Sequence, residues 1–259
     1  MNSSHQRINQ TTGNFEHYSP SWLIEAARLT MGGIDVDGAS SEKANSIVQA
    51  GIFFSKPTML YQGELGGLPA YAMSDRGGLE FEWYGRLWLN HPFGIPMRAC
   101  NKSCKKKTCR DRGYHIVTDV PGNGDWINHL IRNYEVGNIT QACVLTYAVT
   151  SETWYKPLKR YPQCFMDGRT GYVNPETMIE STGNTKGSSV TYLGPNVMAF
   201  AENFSPFGEV KAVVDPNPDM LAAFASEYGE PGDFMDQEQY HEIFKIWRAA
   251  WRAAYGQRV

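Results

Sequence analysis

Ile34-Asp35-Val36-Asp37-Gly38-Ala39-Ser40, followed by Ser41 to Gln49, is the stretch on which the fold turns. Its first four residues read as a short strand ending in an acid. Three small residues follow, and a serine opens a helix. An acid at the end of a strand, with small residues opening the next helix, is how nucleoside cofactors are commonly held. The small residues let a ligand approach the backbone, and the carboxylate binds a polar edge of it. Outward from this stretch the alternation continues. Ser21 to Met31 reads as a helix, with Pro20 at its mouth, Ser19 or Ser21 available to cap it, and Gly32-Gly33 to end it. Arg86 to Leu89 reads as a strand running into Asn90-His91-Pro92-Phe93. Helices are expected at Asp125–Tyr134, Ser151–Leu158 and Asn196–Phe204, and strands at Ala142–Ala148, Cys164-Phe165 and Ser189–Leu193. Residues Ser55 to Gly78, rich in Gly and Pro, read as a loop or insertion. Strands alternating with helices predict an α/β fold with a mostly parallel sheet covered on both faces.

A chain of 259 residues accommodates one substantial core, so one domain with insertions is expected. Residues 1–16 are polar and lack an apolar segment, which reads as a flexible tail and not as a secretory signal. No stretch approaches the ~20 apolar residues of a membrane helix. Five cysteines, an odd number, three of them between Cys100 and Cys109, do not suit a disulfide framework and point to a reducing cytoplasm. The net charge of −3 argues against indiscriminate coating of nucleic acid. That average hides a polarity. Arg98, Lys102, Lys105, Lys106, Lys107, Arg110 and Arg112 face a single acid, Asp111, whereas Asp215 to Glu242 is acidic. A local basic patch on an acidic chain suits a DNA contact through Lys105, Lys106, Lys107, Arg110 and Arg112; the alternative is a solvated loop.

The chemistry concentrates in Asn90-His91-Pro92-Phe93. An amide, a backbone carbonyl fixed by the following proline, and an aromatic ring make a receptor for a planar base carrying an NH2 group. The oxygens of Asn90 and of the His91 backbone can each accept one amino hydrogen, and Phe93 offers a face for the base, an interaction typically worth ~1–3 kcal/mol. Alone, the tetrapeptide equally fits a strand-terminating turn. No G-x-G-x-x-G run is present, which disfavours a dinucleotide cofactor. Separately, Cys100, Cys104, Cys109 and His115 have the spacing of a closed tetrahedral zinc site, or are three unligated thiols in a basic loop. Ile243, Phe244, Trp247 and Trp251 share one face of an expected C-terminal helix, suited to packing on the domain or to dimerisation. His17 and His129 show no partner in the sequence.

Taken in order, Tyr18-Ser19-Pro20, Asp35-Val36-Asp37-Gly38-Ala39-Ser40, Ala44-Asn45, Gly78-Leu79, Trp83-Tyr84-Gly85-Arg86 and Asn90-His91-Pro92-Phe93 resemble the phage-type DNA adenine-N6-methyltransferase family. The similarity continues through Trp154-Tyr155-Lys156-Pro157-Leu158, Gly168-Arg169, Lys186-Gly187-Ser188 and Tyr192-Leu193-Gly194-Pro195-Asn196, covering Tyr18 to about Val210. The resemblance implies a Rossmann-like S-adenosylmethionine-dependent methyltransferase fold over residues 17–214. Residues 98–124 would form a basic Cys-rich insertion, and 215–259 an acidic segment with a C-terminal helix. It implies S-adenosylmethionine at Tyr18, Ser19, Pro20, Asp35, Asp37, Ala39 and Ser40. The target base of double-stranded DNA would sit at Asn90, His91, Pro92 and Phe93. Transfer to cytosine N4 remains open, because the tetrapeptide serves either amino group. The family's catalytic motif resembles Asn-Pro-Pro-aromatic; here His91 stands second, which keeps the backbone carbonyl and loses the rigid ring. Either His91 is a neutral polar contact, or the site is impaired and the chain a silent DNA binder.

Overall fold

The computed structural model describes residues 18–174, 176–180 and 186–211. The expected tail, the acidic segment and the C-terminal helix carrying Ile243, Phe244, Trp247 and Trp251 lie outside them. In chain order the elements are α1 (Ser21–Met31), β1 (Val36–Ser40), α2 (Glu42–Val48), β2 (Ile52–Ser55), β3 (Met59–Leu65), β4 (Leu68–Met73) and β5 (Gly85–Leu89). There follow α3 (Lys107–Arg112), β6 (His115–Ile116), α4 (Asn123–Glu135), β7 (Ile139–Tyr147), β8 (Gln163–Met166), β9 (Ser188–Leu193), α5 (Val197–Phe204) and β10 (Gly208–Lys211). Where a helix is expected at Ser151–Leu158, a 3-10 helix forms at Thr153–Arg160 and contains Pro157.

Seven strands form one mixed sheet in the order β10-β8-β9-β7-β5-β1-β2. From β2 to β7 neighbours run parallel, and from β7 to β10 they run antiparallel. The expected mostly parallel sheet is thus parallel on one side only. Reversed β9 lies between β7 and β8 and pairs with both. Side chains alternate across the sheet as a pleat requires. Trp88, Cys143 and Leu145 join α1, Val48, Phe200 and Phe204 in one core. Leu87, Leu89, Ala142 and Val144 join Trp126, Ile127, Leu130, Tyr155 and Leu158 in the other. Both faces are covered, which is why β5 and β7 read as nearly continuous apolar runs. Polar side chains buried under β7, β8 and β9 satisfy one another. Tyr155 Oη lies 2.8 Å from Ser189 Oγ, and Gln163 Nε2 donates to Tyr155 Oη at 2.9 Å and to Thr191 Oγ1 at 3.0 Å.

Residues expected as a loop between Ser55 and Gly78 instead supply β3 and β4, which β6 joins in a second, three-stranded sheet of order β3-β4-β6. Gly66 and Gly67, at φ 58° and 80°, make the two-residue turn between β3 and β4. Beyond it, Trp83 is fully buried and donates its indole N–H to Gly78 O at 3.0 Å. A side chain at Gly78 would collide with the Gly38 carbonyl, so this glycine sets how closely the segment passes β1. His129, without an evident partner in the sequence, has Nε2 2.8 Å from Phe81 O and packs edge-on to Trp83.

Candidate functional site

β1, β5 and β7 are parallel neighbours, so their C-terminal ends share one edge of the sheet. Asp37 pairs with Trp88, and the same register brings Asn90 level with Ala39. α1 then delivers Tyr18-Ser19-Pro20 to this edge. Pro20, not Ser19 or Ser21, is the N-cap of α1: its carbonyl accepts from the amides of Leu23 and Ile24 at 3.1 and 3.3 Å. Released from capping, Ser19 Oγ accepts a hydrogen bond from Asn90 Nδ2 at 3.1 Å. Tyr18 is buried, exchanges backbone hydrogen bonds with Val173, and its hydroxyl accepts from Ser41 Oγ at 3.1 Å. Ser41 also caps α2 through the Ala44 amide. Three separate stretches are thereby tied at one place.

Asp37 is buried, and burial pushes its carboxyl up to about 6. Against this, the Ser40 hydroxyl and the Ala39 amide, the latter 3.3 Å from Oδ1, favour the charged form. Ser40 is itself buried, and Ala39 partly so. The strand continues through Gly38-Ala39-Ser40, so these residues do not open the helix.

Asp35 belongs elsewhere. It precedes β1, at the end of the strand away from Ser40, and its carboxylate is taken by Arg86. Nη2 lies 2.6 Å from Oδ1, while Nε and the backbone amide of Arg86 both lie 2.9 Å from Oδ2. Arg86 holds this carboxyl below its ordinary value. Gly85, at φ 74°, admits the pair, since a side chain there would sit 2.6 Å from Asp35 Oδ2. Asp35 is an ion-pair anchor for Arg86.

His91 is buried with its ring stacked on Trp126 (centroids 6.1 Å, planes 8° apart) and edge-on to Phe93 and Trp154. Burial lowers its pKa to about 4, so the ring is neutral at neutral pH. Nδ1 lies 3.1 Å from Pro92 O, and Nε2 is buried without a partner among the described residues. The ring is therefore wedged into the core, and stacking with that hydrogen bond fixes a turn that a proline ring would otherwise stiffen. Pro92 and Phe93 are half-buried. Phe93 packs on Tyr147 at 4.4 Å between centroids, and Lys186 Nζ stands 5.0 Å from the centroid of the same Tyr147 ring. Tyr147 and Ser41 were not singled out in the sequence; Tyr147 closes the apolar run of β7, and only the parallel register places it beside Phe93.

The 98–124 insertion carries Lys105, Lys106, Lys107 and Arg110 exposed. Arg112 is folded inward instead. Its guanidinium lies over the Tyr114 ring at 4.4 Å and donates to Tyr114 O, so it is not presented as the other four are. Cys100, Cys104, Cys109 and His115 converge, their ligand atoms all within 4.8 Å of one another, a cluster able to hold a metal ion. Among the described residues no helix is long and apolar enough to cross a membrane. Comparison of the chain with protein-family models, with curated proteins and with solved structures finds no match.

Proposed function

We propose that the chain is a DNA methyltransferase that uses S-adenosylmethionine to methylate the exocyclic N6 amino group of a flipped adenine. The observation that carries this reading is the hydrogen bond from Asn90 Nδ2 to Ser19 Oγ. It joins the two stretches that the resemblance assigns to base and cofactor, and it uses the amide's donors on one side. Asn90 Oδ1 is then oriented as an acceptor for an amino hydrogen, with the His91 carbonyl as the second acceptor. Together they would turn the nitrogen lone pair out of the ring plane and toward an electrophile. Phe93, braced by Tyr147, would stack on the extruded base.

The donor set near β1 fits a nucleoside cofactor. A carboxylate accepts about four hydrogen bonds, and among the described residues Asp37 accepts one long bond, from the Ala39 amide at 3.3 Å. Tyr18, Ser19, Pro20, Asp37, Ala39 and Ser40 would hold the cofactor, which supplies a methyl group on a sulfonium. The chain's own residues position the nucleophile and exclude water, and positioning of this kind provides most of the acceleration. Lys105, Lys106, Lys107 and Arg110 would contact phosphates of the duplex.

Incubating the purified protein with S-adenosylmethionine labelled in the methyl group and with duplex DNA tests the reading. Label in N6-methyladenine on nucleoside mass spectrometry is the expected result. Label in N4-methylcytosine would change the base, and DNA binding without transfer would make the chain a silent relative.

A further inference from the structure

The chain leaves the sheet at the end of β5 and closes on itself before α4. At the base of this excursion Gly94 N–H donates to Asn123 Oδ1 at 3.0 Å, and Asn123 N–H donates to Gly94 O at 2.8 Å. One step outward, Met97 and Val120 exchange backbone hydrogen bonds of 3.1 and 2.9 Å. Farther out there is little apolar material. Asn101, Lys102, Ser103, Lys105, Lys106 and Lys107 are all exposed. A lobe of this size without a core of its own needs another source of order.

The inward side chains here are Cys100, Cys104, Cys109 and His115. Cys109 Sγ lies 3.6 Å from Cys100 Sγ and 3.9 Å from Cys104 Sγ. Zinc–sulfur bonds of ~2.3 Å in a tetrahedron place sulfurs about 3.8 Å apart, whereas a disulfide needs ~2.05 Å. His115 is buried, with Nδ1 lacking a hydrogen-bond partner among the described residues. His115 completes a group of four soft or borderline donors whose ligand atoms lie within 4.8 Å of one another. Donors already face the sulfurs. Arg112 Nη2 lies 3.6 Å from Cys109 Sγ, and the Lys106 backbone amide donates to Cys104. Three thiolates outweigh a divalent cation by one charge, and such donors are what a metal-bound thiolate requires around it.

We propose that Cys100, Cys104, Cys109 and His115 bind one zinc ion that fastens α3 and the turn at residues 100–104 to β6. Through the pairing of His115 with Ala70, the ion also ties the basic lobe to the three-stranded sheet. Three sulfurs and one imidazole suit zinc over oxygen-seeking cations. Four protein ligands close the coordination shell, so the ion is structural. Arg112 is part of this site through Cys109, which accounts for its inward fold.

Metal analysis of the full chain purified under reducing conditions should give about one zinc per molecule. Titrating metal-stripped protein with Co2+ should produce the strong visible absorption of a tetrahedral thiolate site, and Zn2+ should displace it. Cys104→Ser and His115→Ala should each weaken Co2+ binding at least tenfold. Chelation should accelerate tryptic cleavage between Lys105 and Arg112 while the far-ultraviolet circular dichroism changes little. Should a variant fail to fold, the Co2+ titration of the parent still decides. Absence of both zinc and thiolate–cobalt absorption overturns the proposal, and so does an intact mass two hydrogens light, which would mean a disulfide. None of these readouts depends on methyl transfer or on DNA.

Discussion

Asn90 Nδ2 donates to Ser19 Oγ at 3.1 Å across a sequence separation of 71 residues. An asparagine side chain has two nearly isosteric orientations, and in the one present Nδ2 faces Ser19 and Oδ1 is on the other side of the amide. Ser19→Ala removes the bond without touching the acceptor. A hydrogen bond of this kind contributes about 0.5–1.5 kcal/mol, so kcat for methyl transfer should fall by a factor of about 2 to 13. Ser19→Thr keeps the hydroxyl and should recover most of it. An unchanged rate in Ser19→Ala would mean that the bond orients nothing.

Replacing Asn90 itself should cost far more. Asn90→Ala deletes an acceptor that acts in the transition state, and loss of one such group typically costs ~10²–10³ in rate. Asn90→Asp keeps an acceptor of nearly the same shape, with Ser19 free to donate in place of accepting, and should retain measurable activity. Cofactor affinity, read by calorimetry, should change little in either. Equal rates for Asn90→Ala and the parent would reduce the tetrapeptide to a turn.

Asp35 and Asp37 sit two residues apart and should behave oppositely. Asp35→Asn loosens the ion pair with Arg86, whose side chains are each about a third or more exposed (33% for Arg86, 43% for Asp35). Solvent screening keeps such a pair to about 1 kcal/mol or less. A small drop in Tm with unchanged kcat and unchanged cofactor affinity is expected. Loss of S-adenosylmethionine binding in Asp35→Asn would return this residue to the cofactor site.

Asp37 and His91 make a pH experiment. Burial raises Asp37 from 3.8 to about 6, so the folded state holds the proton more tightly, and its contribution to stability is lost as pH rises from about 4 through 6. Burial lowers His91 from 6.5 to about 4, so its contribution is present above 6.5 and is lost as pH falls toward 4. Each shift corresponds to about 3 kcal/mol, and over this window the two oppose each other. Asp37→Asn should therefore leave the His91 dependence exposed: relative to the parent, the variant loses stability faster on acidification and gains it near neutrality. His91→Gln should tilt the curve the other way. Denaturant melts at pH 4.5 and 7.5 give the comparison, and parallel curves for all three proteins would contradict the burial of both groups.

Local signals were legible and distant ones were not. α1 runs from Ser21 to Met31 as read, because Pro20 and Gly32 mark its ends. The apolar run of β7 announced a buried strand. The hairpin β3-β4 was hidden by its own glycines: Gly66-Gly67 is a turn signal inside what looked like a structureless Gly/Pro stretch. Strand direction is absent from periodicity, so the antiparallel half of the sheet was not foreseen. At the site, tetrapeptide and Tyr18-Ser19-Pro20 stood out as local patterns. The Asp35–Arg86 pair and the contact of Phe93 with Tyr147 join residues 51 and 54 positions apart, and such partners follow from topology alone.

Inward Arg112 and outward Lys105, Lys106, Lys107 and Arg110 divide the basic lobe into two populations with different expected effects on DNA. The three lysines are exposed, and none has a resolved ion pair among the described residues. If they neutralise phosphates, each releases a counterion on binding, and log K falls with log salt by about 0.9 for every phosphate contact. Replacing all three with glutamine should weaken binding of any duplex, specific or not, and flatten the salt slope by up to about 2.7. Arg112→Gln should instead leave the salt slope unchanged while loosening the lobe around Tyr114 and Cys109, seen as faster tryptic cleavage between Lys105 and Arg110. Fluorescence anisotropy on a labelled duplex between low and moderate salt distinguishes the two. A slope that stays put in the triple variant would mean that the lobe faces away from the duplex, and one that flattens in Arg112→Gln would mean that this guanidinium leaves Tyr114 to meet a phosphate.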